Sequence, residues 1–142
     1  MEQAVDVVRE FCALMERREA EALRPFLADS AVYQNVGMPA VSGVDAIVRN
    51  LHGQFAMYPD AYAYEIVNIV GNGSIVMTER LDYIQAPDGR KPGVPVMGTF
   101  VVGDDGKITR WTDYWDTALP AKLRTGEDVS ALLPATSGAQ HH

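Results

Sequence analysis

The order of hydrophobic periods along this 142-residue chain predicts an α+β domain. Three observations carry the prediction. Apolar stripes at helical spacing are confined to the segment ending at Phe55, four long strand-like runs follow, and turn signals rich in glycine, asparagine and aspartate divide those runs. Helices first and long strands afterwards place the helices on one face of a curved antiparallel sheet.

The elements follow in order. Ala4, Val7, Val8, Phe11, Leu14 and Met15 recur at helical spacing and predict a first helix over 4–15 with one buried face. Arg17 to Glu19 break the stripe. Glu21 to Leu27 predict a second short helix ending near Pro25, and Ala31 to Asn35 a strand closed by Gly37 and Pro39. Ser42, three residues before Asp45, resembles an N-cap, and Val44, Ile47, Val48, Leu51 and Phe55 continue as a third helix that Pro59 and Asp60 end. Strands are predicted at Tyr62–Val70, Ser74–Ile84, Val94–Val102 and Lys107–Trp115. The turns between them are Gly71-Asn72-Gly73, Pro87-Asp88-Gly89 and Asp104-Asp105-Gly106, all tolerant of positive φ. Periodicity is lost after Asp116. The prediction is one domain over 1–124 and a flexible tail over 125–142, in which His141 and His142 read as the remnant of an affinity tag.

Bulk composition narrows the function. With 47% hydrophobic and 22% charged residues, the chain has the make-up of an ordinary globular protein. A net charge of -7 argues against nucleic acid and anionic membrane surfaces as partners, because both draw on clustered Lys and Arg. The single cysteine, Cys12, rules out an intrachain disulfide and reads as a small buried residue. Neither a signal-peptide pattern nor a membrane-length apolar run is visible, so a soluble cytoplasmic protein is expected.

Three pairs of polar residues stand two positions apart within the strand-like runs: Tyr33 and Asn35, Arg80 and Asp82, Trp111 and Asp113. Alternate strand residues share a face, so each pair points one way. Taken alone, each pair has a plain reading. Arg80 with Asp82 fits a surface ion pair, and Tyr33 with Asn35 fits a turn cap. Asp113 sits between Trp111 and Trp115 on one face, where a carboxylate either loses its charge or finds strong donors; Arg80 supplies them if the strands are neighbours. His52, with no partner at ligand spacing, reads as a helix-surface residue. Glu79 faces away from Arg80 and Asp82, Asp88, Asp104 and Asp105 belong to turns, and Asp116 points away from Asp113. No metal or phosphate motif appears.

The segments Val32-Tyr33-Gln34-Asn35, Met77-Thr78-Glu79-Arg80-Leu81-Asp82 and Ile108 to Asp116 together resemble the limonene-1,2-epoxide hydrolase family, within the NTF2-like and SnoaL-like superfamily. The likeness extends through Gly43-Val44-Asp45-Ala46 and covers residues 4–118. It implies an NTF2-like cone, with N-terminal helices packed on a strongly curved mixed, mostly antiparallel sheet that encloses a deep apolar pocket. It further implies Asp113 as general base on a water held with Tyr33 and Asn35, Asp82 as general acid on the epoxide oxygen, and Arg80 bridging the two carboxylates. Attack is then direct, without cofactor or covalent ester, on a small apolar epoxide.

Trp111, Trp115 and Ile84, next along the same faces, are the expected substrate walls. The loop 36–40 and the segment 57–60 differ from the limonene enzyme, which leaves the substrate open. A homodimer is implied too, in keeping with the apolar outer face Ile75, Met77, Leu81 and Tyr83. Two other classes stay in view: a SnoaL- or ketosteroid-isomerase-like proton-transfer or cyclisation enzyme, and a non-catalytic ligand-binding module. The first has no use for Arg80 between two aspartates, and the second leaves the cost of burying them unexplained.

Overall fold

The computed structural model describes residues 2–57, 63–83, 89 and 92–134. Among these residues four α-helices, α1 (Glu2–Met15), α2 (Ala20–Leu23), α3 (Val44–Met57) and α4 (Leu119–Arg124), pack with one six-stranded sheet. Its strands are β1 (Leu27–Asn35), β2 (Val41–Ser42), β3 (Ala63–Asn72), β4 (Ile75–Tyr83), β5 (Gly93–Val102) and β6 (Ile108–Tyr114), in the order β2-β1-β6-β5-β4-β3. The α+β class is as predicted. β3 to β6 form the antiparallel meander, and β1 joins it in parallel beside β6, which makes the sheet mixed.

The helical stripes explain the packing. Ala4, Val8, Phe11, Cys12 and Met15 of α1 meet Ile47, Val48, Leu51 and Phe55 of α3 over the sheet residues Val76, Phe100, Ile108 and Trp111. Removing this much apolar surface from water is the dominant favourable contribution to such a fold. Phe11 packs edge-on against Trp111, with ring centroids 4.9 Å apart.

The structure departs from the sequence expectations in several places. The second helix stops at Leu23, because Pro25 tightens the chain into a 3₁₀ turn over Arg24–Phe26, and the strand begins at Leu27 rather than Ala31. Asp45, expected in a cap, accepts a hydrogen bond from Arg24 Nη1. The short helix α4 was not foreseen. Its Leu119 and Leu123 pack with Val94, Val96 and Val129, so the tail expected to start at 125 carries a buried residue at Val129.

On the outer sheet face Leu81 and Tyr83 are buried within the chain, whereas Ile75, Met77, Met97 and Tyr114 stand exposed. Cys12 is buried, and burial pushes its thiol up to about 12, which makes it inert. Among the described residues no helix is long and apolar enough to cross a membrane.

Candidate active site

Register brings the three pairs together. β1 lies against β6 with Tyr33 opposite Trp111 and Asn35 opposite Asp113. Arg80 and Asp82 belong to β4, which is not adjacent to β6: β5 lies between them. The expectation that Arg80 reaches Asp113 from a neighbouring strand is therefore corrected.

Gly98 makes the crossing possible. It pairs with Thr78 on one side and with Asp113 on the other. Two strand spacings amount to about 10 Å, and the guanidinium spans the gap over a position without a side chain. A Cβ at 98 would lie 2.4 Å from Arg80 Nη1, 2.7 Å from Asp113 Oδ1 and 2.9 Å from Thr78 Oγ1. Gly98→Ala is accordingly expected to fold with a displaced guanidinium and to lose about 100-fold in turnover, the scale set by ångström misplacement of a catalytic group. Circular dichroism with a rate assay checks it, and near-native turnover would contradict it.

Arg80 is 1% exposed, and each of its five N–H groups has an acceptor. Nε and Nη2 donate to the two oxygens of Asp82 at 3.1 and 3.0 Å. Nη1 and Nη2 donate to the two oxygens of Asp113, both at 3.1 Å. The remaining Nη1 hydrogen goes to Thr78 Oγ1 at 3.3 Å.

One cation thus faces two carboxylates in a buried setting. Burial, and after the opposing pull of Arg80 the charge of Asp113, hold the Asp82 carboxyl above its ordinary value. Arg80 is held cationic by the two aspartates in spite of its own burial.

The second half of the site surrounds Tyr33. Its hydroxyl accepts from Asn35 Nδ2 at 2.9 Å and from Gln54 Nε2 of α3 at 3.1 Å. Both lone pairs are engaged, so the phenolic proton is left to point into the pocket. Burial raises this phenol, which keeps it protonated.

Trp115 Nε1 donates to Asn35 Oδ1 at 2.9 Å, and Trp111 Nε1 donates to Asp113 Oδ1 at 3.0 Å. The indoles expected as apolar walls therefore also hold two polar groups of the pocket in place. Trp111 stacks on Tyr33 with centroids 4.0 Å apart.

These groups line a pocket with a cavity volume of about 100 Å³. Tyr33, Asn35, Gln54, Asp82, Trp111, Asp113 and Trp115 all border it. Met15, Val94, Val96 and Pro120 form apolar wall, and Tyr64 adds a further hydroxyl. Ile84 and the segment 58–60 lie outside the described residues. His52 is exposed on α3, and Glu79 accepts from Asn68 Nδ2 on the outer face, 2.8 Å away. Among the described residues no three His, Cys, Asp or Glu side chains gather where they could hold a metal ion.

Sequence reasoning missed Gly98, Gln54, Thr78 and Tyr64 as members of the site. A glycine inside an otherwise apolar strand was a usable signal for Gly98, because it marks a close approach. Gln54 has no such signal, since polar residues are ordinary on a helix surface.

The family described as the limonene-1,2-epoxide hydrolase catalytic domain matches residues 2–122. The epoxide hydrolase EphG of Mycobacterium tuberculosis is 30% identical over 112 residues, covering 77% of this chain and 70% of that protein. The solved structure of an M. tuberculosis LEH-like epoxide hydrolase superimposes with a TM-score of 0.69 at 28% identity, over 82% of this chain and 80% of that one. An NTF2-like protein from Burkholderia pseudomallei superimposes with a TM-score of 0.74, over 88% of this chain and 99% of that one; at 18% identity it shows the NTF2-like fold alone.

Proposed function

The chain belongs to the limonene-1,2-epoxide hydrolase family, and from that premise we propose that it converts an apolar, terpene-like or cyclic epoxide to a vicinal diol in one step. The observation that carries the reading is a single buried guanidinium shared by two pocket-lining carboxylates, beside a phenol whose proton is free to bind water.

The water's hydrogen bonds can be counted. It accepts from the Tyr33 O–H, donates to the Asp113 carboxylate and to the remaining lone pair of Asn35 Oδ1, and keeps one lone pair for the substrate carbon. That lone pair attacks the ring carbon as the C–O bond breaks. Asp113 takes the water's proton while Asp82, whose carboxyl burial holds above its ordinary value, gives its own to the departing oxygen. Turnover leaves the proton on Asp113 and the charge on Asp82, and return of one proton resets the pair. Arg80 stays hydrogen-bonded to both carboxyl groups throughout.

A ketosteroid-isomerase-like or SnoaL-like reaction needs one base and has no role for this bridge. A binding module has no return for burying three ionisable groups. The exposed apolar stripe of Ile75, Met77, Met97 and Tyr114 supports a homodimer.

A panel of racemic terpene and cycloalkene oxides, analysed by chiral chromatography, is expected to yield diols. The rate is expected to fall as pH rises through the raised Asp82 value, because the acid then carries no proton to give. Absence of diol together with exchange of an α-proton on a ketone or enone would overturn the reading.

A further inference from the structure

The mechanism above leaves one polar pair of the pocket unused. Tyr64 on β3 lies directly opposite Asp82 and borders the pocket. Its hydroxyl accepts a hydrogen bond from Arg18 Nη1 at 3.0 Å. A guanidinium has only donors, so the direction of that bond is fixed and the phenolic proton of Tyr64 takes no part in it. Burial and then the charge of Asp82 push this phenol up to about 12, so it remains a donor.

Arg18 is itself held in place. Its guanidinium sits over the Phe55 ring, 4.0 Å from the centroid, a cation–π contact that fixes it at the end of α3. Its backbone has φ 56, the left-handed region a residue just past a helix end adopts at least cost when it is glycine. An arginine here keeps a strained backbone while its side chain reaches the pocket phenol.

The Tyr64 hydroxyl borders the same pocket as Asp82, near enough for the charge of that carboxylate to act on it.

Resting on the hydrolase reading above, we propose that Tyr64, oriented by Arg18, donates a hydrogen bond to a second oxygen of the substrate, so that the preferred substrate is a largely apolar epoxide carrying a hydroxyl or carbonyl group near the ring. Tyr64 is then a specificity-determining residue, and Arg18 a positioning residue that acts through it. A purely hydrocarbon oxide filling the pocket leaves the Tyr64 proton without a substrate acceptor, a cost that a substrate oxygen removes.

The test compares cyclohexene oxide with a ring-hydroxylated or ring-keto cyclohexene oxide. It uses the wild type, Tyr64→Phe, and Arg18→Gly, which suits the left-handed backbone at 18. The wild type should prefer the oxygenated epoxide. Tyr64→Phe should lower kcat/KM for that substrate by about 10-fold more than for the hydrocarbon oxide, with the difference mainly in KM. Arg18→Gly should reduce the same preference with the melting temperature maintained. Equal losses on both substrates would make the pair a structural clamp and overturn the proposal, as would a wild type indifferent to the extra oxygen.

The corresponding diols, titrated against the fluorescence of Trp111 and Trp115, give a second readout. If no epoxide is opened but the oxygenated diol binds more tightly in a Tyr64-dependent way, the hydrolase reading falls and the Tyr64 contact stands. If epoxides are opened and neither readout shows a preference, the reverse holds.

Discussion

Asp113→Asn is expected to remain folded and to open epoxides about 10²- to 10⁴-fold more slowly, the usual contribution of a positioned general base. Asparagine keeps the shape of the side chain and an oxygen for Trp111 Nε1 and Arg80 Nη1, the donors that hold Asp113 Oδ1. It cannot take a proton from water. Tyr33, Asn35 and Gln54 keep their mutual hydrogen bonds in this variant, so the loss should fall on kcat more than on KM. Initial rates beside a thermal melt decide the matter. Undiminished turnover would remove Asp113 from the base's role, and an unfolded variant would mark it as structural.

Arg80→Met should affect stability as much as activity. Removing the guanidinium leaves Asp82 and Asp113 facing one another without a cation, and breaking a buried charged network in this way costs about 3–5 kcal/mol. The penalty carries a definite pH sign. Burial already holds the folded Asp82 carboxyl above its unfolded reference of about 3.9, and loss of the opposing pull of Arg80 raises it further. The loss is therefore present in full above the raised folded value and fades as pH falls towards the unfolded value, because a protonated carboxyl needs no counter-charge. Urea unfolding of the variant and wild type should show the widest gap on the alkaline side of neutrality and the narrowest near pH 4. A gap independent of pH would mean that Arg80 acts through packing alone.

What was legible in the sequence was local. The stripes of α1 and α3, the four long strands and the residues of the three pairs all follow from periods of 3.6 and 2. What was illegible depends on partners far apart in the chain. Nothing near Tyr33 states that β1 will run parallel to β6, and nothing near Arg80 states that β5 will intervene. Gly98 is where the two meet: the site needs a missing side chain, and its reason lies in residues 78, 80 and 113.

Hydrogen bonds from the indoles were missed for a related cause. A tryptophan in a strand pattern reads as apolar bulk, and only the fold shows where its one N–H ends. α4 was too short for a periodic signal, and Pro120 hides it further; packing against Val94 and Val96 accounts for its formation.

Single-turnover hydrolysis in ¹⁸O-labelled water, with enzyme in excess over epoxide, tests the central claim most directly. On the proposed mechanism, water held by Tyr33, Asn35 and Asp113 attacks carbon itself, so labelled oxygen is expected in the diol from the first turnover, with none incorporated into the protein. Unlabelled diol in that first turnover, with label appearing in Asp82 or Asp113, would instead mean a covalent ester and would contradict the account.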